Sequence, residues 1–328
     1  MLKLPRRKFL RLAAGAAALP AVSRAARAQA YPTRPVRIIV GLAPGGQTDI
    51  IARIIAQRLS ERLGKQFYIE NVPGAGGNVG AGRAAQAARD GYTILFIDAV
   101  AFAANATLYN KLPYDPVGDF DAVAIAATTM QVLAVHPSVP AQTVQELVAL
   151  IRNNPGKYSY GSAGVGTGAH LTGELFRTSL KLDLVHVPFG GGGPAIAAVV
   201  AGHTPLAFGS GAATIPQHQE GKLRALAVGG RNRLKGLAAI PTFREAGYPD
   251  VECEAMVGVL VPSKTPMDII RLLNREIAAA VAPPDVQERL ATLGFETVTA
   301  TPDEFARLLK AEIAKWAGVL QTTGIKMD

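Results

Sequence analysis

Three kinds of residue in this chain have the chemistry to act on or hold a small molecule. They are one serine near a histidine, scattered carboxylates, and glycines that can turn backbone amides outward. The serine and histidine lie in "YGSAGVGTGAHLTGELF", residues 160–176. A nucleophile elbow needs G-x-S-x-G, and Ser162 instead has Gly161 directly before it. His170 falls eight residues later, on the adjoining helix, out of natural reach as a base for Ser162. Asp49 and Asp98 have no evident histidine partner. Cys253 is the single cysteine, carries no motif, and reads as a half-buried bystander. The histidines at 136, 170, 186, 203 and 218 lack metal-ligand spacing. The expectation is therefore no catalytic residue, no metal and no cofactor.

The glycines are more informative. In "VRIIVGLAPGGQTDIIARIIAQRL", residues 36–59, a strand runs through Gly45 and Gly46 into a helix. The first amides of a helix lack intrahelical partners, and the helix dipole makes that end partly positive. Glycine lets a ligand approach those amides closely, so a carboxylate or phosphate can bind without a cationic side chain. G-x-G-x-x-G is absent, and "GGQTD" lacks the lysine of a P-loop. Asp49 beside such a site either faces away as a helix-start residue, the favoured reading, or meets an amine or hydroxyl of the ligand. The same plan recurs in "ENVPGAGGNVGAGRAA" (70–85), in residues 160–176 and in "VPFGGGGPAIAAVVAGH" (187–203). One such turn is as consistent with a plain capped connection. Four point to a shared crevice, because turns at the ends of parallel strands converge.

The elements that must carry these turns alternate along the chain. Short β-branched runs include "VRIIV" (36–40), "FYIEN" (67–71), "YTILFI" (92–97), "QVLAVH" (131–136), "YSYGS" (158–162), "LVHVPF" (184–189), "LAFGS" (206–210), "LRALAV" (223–228) and "VGVLVP" (257–262). Periodic apolar segments lie between them. Ile51, Ile54, Ile55, Leu59 and Leu63 mark a helix ending at Gly64, and the tail predicts helices over 266–281, 284–293 and 302–320. This pattern is α/β with mostly parallel sheets.

The formal charge of +9 suggests an acidic partner until the N-terminus is considered. The first thirty residues hold seven basic residues and no acidic one; without them 27 basic residues face 25 acidic ones. Nucleic-acid binding thus has little support. "PRRKFLRLAAGAAALPAV" followed by Ala28-Gln29-Ala30 reads as an export signal, twin-arginine or an ordinary secretory one, cleaved before Tyr31. The expected location is the periplasm. No later segment is long and apolar enough to span a bilayer.

Together these segments resemble the solute-binding proteins of tripartite tricarboxylate transporters, the Bug-type periplasmic receptors. The resemblance runs from about Tyr31 to the C-terminus. It is carried by "APGGQTDIIAR", "NVPGAGGNVGA", "LYNKLPYDPVGDF", "GSAGVGTGAHLTGELF", "VHVPFGGGGPA", "GKLRALAV", "PTFREAGYP" and "LVPSKTPMDIIRLLN". It implies a two-lobed periplasmic-binding-protein-like fold, each lobe a mostly parallel sheet flanked by helices. One lobe would combine 31–131 with 254–328, and the other would be 132–253. The resemblance further implies that the PGG turn faces the GSAG turn across a cleft that holds a small carboxylate. Carried over residue by residue, the first lobe contributes Ala43, Pro44, Gly45, Gly46, Gln47 and Asp49. The second contributes Ser162, Ala163, Gly164, Gly166, Thr167 and His170, while Asn71 and Gly76 border the cleft. Three departures bear on the ligand. Leu42 stands where an aromatic residue is usual, Met256 where a Trp is common, and Gly202-His203-Thr204-Pro205 lacks the usual acidic residue.

The implied function is capture of an organic carboxylate and its delivery by a monomeric receptor to membrane permease subunits. A ligand sensor for a signalling receptor is a second reading. A secreted α/β enzyme is a third, and it needs a nucleophile or acid–base pair that the sequence does not offer.

Overall fold

The computed structural model describes residues 31–323; the predicted export signal, 1–30, lies outside them. From Arg34 onward the chain forms one contiguous unit. The first half opens with strand β1 (Val36–Val40), helix α1 (Gln47–Leu63), β2 (Phe67–Asn71), α2 (Asn78–Ala85), β3 (Thr93–Asp98) and α3 (Ala99–Leu108). β1 lies between β2 and β3, parallel to both, with Ile38 opposite Ile69 and Ile94. Val36, Ile38, Ile39 and Val40 are fully buried, the pattern of a parallel strand covered on both faces. α1 ends where the sequence predicts, on Gly64 at φ 67°, whose N–H bonds Ser60 O.

The next strand, β4 (Phe120–Val135), is the longest, with 16 residues. The expected strand over 131–136 is only its last third. The N-terminal part of β4 pairs antiparallel with β9, from Phe120 opposite Pro262 to Met130 opposite Glu254. Its C-terminal part, Gln131 to Val135, pairs antiparallel with β7. One continuous strand therefore belongs to both sheets.

The second half comprises α4 (Val144–Arg152), β5 (Tyr158–Ser162), α5 (Gly168–Ser179), β6 (Leu184–Pro188) and α6 (Gly192–Val200). It continues with β7 (Leu206–Ser210), α7 (Gly211–Gln219) and β8 (Arg224–Val228). Here β5 lies between β6 and β7, parallel to both. The chain then returns through β9 (Glu254–Pro262), α8 (Met267–Val281), α9 (Pro284–Thr292), the two-residue β10 (Phe295–Glu296) and α10 (Pro302–Thr323). Each lobe is thus an α/β layer with a parallel centre. β9 and β4 join antiparallel beside it, so the sheets are mixed. The antiparallel pairs follow from the double crossing: the chain leaves along β4 and comes back along β9.

Each half has its own apolar core. Phe102, Tyr114, Phe120 and Phe305 pack in the first. Tyr160, Phe176, Phe208 and Phe243 pack in the second. Among the described residues no helix is long and apolar enough to cross a membrane.

Candidate ligand site between the lobes

The parallel strands of each half deliver their following helices to the same place. A small cavity of ≈ 20 Å³ lies between the halves. Gly46 and Gln47, at the start of α1, line it, as does Asp98, the N-cap of α3. From the other half come Thr167, the N-cap of α5, Gly192 at the start of α6, and Ser210, the N-cap of α7. Five helix N-termini therefore surround one space. Each presents the positive end of a helix dipole, but several first amides are already capped: Asp98 accepts from Val100 and Ala101 N–H, Thr167 from His170 N–H and Ser210 from Ala213 N–H. No Lys or Arg is among the lining residues.

The turns also hold the halves together. Ala43 N–H donates to Gly190 O at 3.1 Å. A Cβ on Gly191 would lie 2.9 Å from Ala43 Cβ, and one on Gly76 would lie 2.4 Å from Val165 O. The PGG turn thus touches the Gly190–Gly193 turn, and the Gly74–Gly77 turn touches the loop around Val165. The PGG and GSAG turns, expected to face each other, share the cavity through Gly46, Gln47, Ala163 and Thr167.

The remaining predicted site residues support these walls. Ala43, Pro44 and Gly45 shape the turn before α1, with Pro44 and Gly45 exposed. Asp49 does not line the cavity. Its carboxylate accepts from Gly45 N–H at 3.0 Å, from Arg53 Nε at 2.9 Å and from Asn71 Nδ2 at 2.9 Å. Burial pushes its pKa up, but those bonds outweigh burial and hold the carboxyl below its ordinary range. Asn71 also donates to Leu42 O at 3.0 Å, so it braces the turn from behind. The Gly45 amide is consequently spent inside the protein, and Gly46 and Gln47 are the residues of this turn and helix start that line the cavity.

Ser162, Gly164, Gly166 and His170 form the base of the opposite loop. Ser162 Oγ accepts from Gly164 N–H at 3.2 Å, and Thr167 Oγ1 donates to Gly164 O at 2.6 Å. His170 Nδ1 accepts from Gly166 N–H at 3.1 Å. A residue missed by the sequence reading, His186, lies 2.7 Å from Ser162 Oγ through Nε2. Its ring stacks between His170, at 4.2 Å, and Tyr160, at 4.8 Å. Tyr160 donates to Glu174, which Arg177 grips through both Nε and a terminal nitrogen. Burial pushes the pKa of His170 down to about 4; burial, with the neighbouring His170, pushes that of His186 to about 3. The Ser162–His186 contact is a fully buried serine beside a very weak base, suited to bracing the loop. Cys253 is buried rather than half-buried, and burial pushes its thiol up to about 12.

Three polar lining residues escaped the sequence reading, as did Ala169 and Gly209. Asp98 appears there only as a carboxylate without a histidine, and Gln131 only as the first letter of a strand. Ser210 belongs to "LAFGSGAAT", a fifth strand–glycine–hydroxyl–helix turn whose signal is the same as in the other four.

The profile of the tripartite tricarboxylate transporter family receptor matches residues 51–325. The chain belongs to this receptor family. It is 34% identical to the protein BugT of Bordetella pertussis over 301 residues, 92% of each chain. A solved structure described as a periplasmic transporter matches with a TM-score of 0.89 at 41% identity, over 91% of this chain and all of that one. An R. palustris protein solved with adipate matches at TM-score 0.87 and 34% identity, covering 90% of the receptor and 99% of that chain. MatC from Rhodopseudomonas palustris, with bound malate, matches at 0.84 and 32%, covering 88% and 100%. The two-lobed fold of the receptor agrees with these relatives.

Proposed function

We propose that this receptor captures a small organic carboxylate in the cavity between its lobes and hands it, unaltered, to the membrane permease of a tripartite transporter. The observation that carries this reading is the meeting of five helix N-termini at one space without a basic side chain. Such a site favours an anion, and each charged hydrogen bond contributes about 1.5–3 kcal/mol. A few of them suffice for micromolar affinity. The ligand-binding residues are Gly46, Gln47, Ala163 and Thr167 at the cavity wall. Ala43, Pro44, Gly45, Asp49, Asn71, Gly76, Ser162, Gly164, Gly166 and His170 set the loops. The lobes are 31–131 with 254–328, and 132–253, joined where β4 and β9 cross. A cavity of ≈ 20 Å³ holds about one water molecule, so an acid enters by parting the lobes and is buried when they close on it. The receptor works in the periplasm, after cleavage of its export signal, as a monomer and without a cofactor.

Two relatives solved with adipate and malate support the carboxylate class. The test is a thermal-shift screen of organic acids, followed by mass spectrometry of the acid recovered from the complex. The reading expects an acid recovered unchanged, and expects Gly46→Pro, which removes one of the facing amides, to abolish the shift. A chemically altered product would replace the receptor reading with an enzyme.

A further inference from the structure

The cavity contains a carboxylate of its own. Asp98 is buried at 6% exposure between the lobes. Its Oδ1 accepts from Val100 N–H and Ala101 N–H, at 3.1 and 3.2 Å, and so caps α3. Its Oδ2 accepts from Gln47 Nε2 at 3.1 Å and, across the cleft, from Gly168 N–H at 3.3 Å. Gly168 is the first residue of α5, where a ligand carboxylate would be welcome. In the closed molecule Asp98 holds that place.

A second acceptor stands beside it. Gln47 points its amide nitrogen at Asp98, so its oxygen faces Gln131, whose Nε2 donates to it at 3.4 Å. That chain of bonds settles the orientation of both amides. It leaves Gln131 Oε1, on a side chain 2% exposed, without a partner at the cavity wall. A buried acceptor without a donor is unfavourable. A ligand that parts Asp98 from Gly168 must therefore supply an acceptor for the Gly168 amide and donors for Asp98 and Gln131. A simple carboxylate supplies only the first; it also lies beside Asp98, whose carboxyl burial pushes above its ordinary range and which a second negative charge would push further, with no Lys or Arg at the wall to offset it.

We propose that the ligand is a zwitterion with a carboxylate and an ammonium on adjacent carbon atoms, an α-amino acid, and that Asp98 and Gln131 accept its ammonium. This rests on the carboxylate-receptor reading and narrows it. The carboxylate takes the freed Gly168 N–H and the amides of the facing turns. The ammonium, with three N–H groups and a positive charge, replaces Gly168 at Asp98 and satisfies Gln131. A 2-hydroxy acid offers one donor and no charge, and an unsubstituted acid offers none.

The experiment uses calorimetric titration of the purified receptor with matched acids that differ only at the second carbon. Suitable triads are aspartate, malate and succinate; glutamate, 2-hydroxyglutarate and glutarate; alanine, lactate and propionate; phenylalanine, phenyllactate and phenylpropionate. A thermal-shift screen extends the set to all twenty amino acids and a panel of acids without an amino group. The tightest ligand is expected to be an amino acid, bound about 10- to 100-fold more tightly than its unsubstituted counterpart, with the hydroxy acid between. Asp98→Asn keeps the helix cap, since Asn caps as well as Asp, and a thermal melt confirms that it folds. It is expected to erase the margin between amino and unsubstituted acids. An acid without an amino group that binds most tightly overturns the proposal while leaving the carboxylate reading intact, provided Gly46→Pro abolishes its binding. An amino-acid preference that survives Asp98→Asn also overturns it. Failure of every acid to bind overturns both.

Discussion

Substituting Gly76 by alanine separates closure from folding. Gly76 sits at φ 63°, and a Cβ there would lie 2.4 Å from Val165 O in the opposite lobe. Real Cβ atoms do not come within 3.0 Å of a backbone oxygen, so the lobes of the variant must close with a gap. The left-handed backbone strain of an alanine, about 1–2 kcal/mol, is present whether the lobes are open or closed. The collision exists only in the closed form. Its cost, by analogy with overpacking, is about 1–3 kcal/mol, which weakens binding about 5- to 150-fold through loss of the closed population. Gly64 provides the control. It has a similar φ of 67° but nothing within 4 Å of its added Cβ. Both variants are expected to lower the melting temperature of the free protein to a similar degree. Only Gly76→Ala is expected to weaken calorimetric affinity for the acid found in the screen. Equal affinities for Gly76→Ala and wild type would refute the idea that lobe contact through this turn is part of the bound state.

Two further outcomes follow from buried groups. The folded-state pKa of His170 is about 4, against about 6.5 for a free imidazole. The unfolded chain therefore binds the extra proton first, and stability present above pH 6.5 falls as pH drops toward 4. The slope is about 1.4 kcal/mol per pH unit for this buried ring, with a smaller part from the more exposed His186. Urea denaturation at pH 7 and pH 5 is expected to show a smaller difference in His170→Asn than in wild type; identical differences would remove His170 from the account. Cys253→Ser, which alters a buried thiol that does not line the cavity, is expected to leave the dissociation constant within about twofold, a change under about 0.5 kcal/mol, measured by the same titration.

The sequence pattern and the structure agree where local chemistry decides the backbone. β1, β2, β5 and β7 begin and end where their β-branched or aromatic runs do, because a glycine or proline closely follows each one. The N-terminal part of β4 was not legible. "FDAVAIAATTM" is rich in alanine and threonine and buried on nearly its whole length, so neither strand alternation nor helical periodicity marks it. α3, "AVAFAANATL", hides for the same reason: almost every side chain is buried, and no polar face sets a period. Gly46, Gln47 and Thr167, which line the cavity, were legible as candidates because the turn chemistry is written within a few positions. Asp98 and Gln131 were not. Their meaning depends on Gly168 and Gln47, brought together across two lobes, and no local pattern encodes that meeting. His186 lies 24 residues from Ser162 and reaches it only through the parallel pairing of β5 with β6.

A crystal structure of the receptor with the acid that raises its melting temperature most tests the site directly. The account predicts the carboxylate of that acid between Gly46 and Gln47 on one side and Thr167, Gly168 and Gly192 on the other. It should be held by main-chain amides and hydroxyls, with no guanidinium or lysine in contact. An acid seated outside this space, or gripped by a basic side chain, would contradict it.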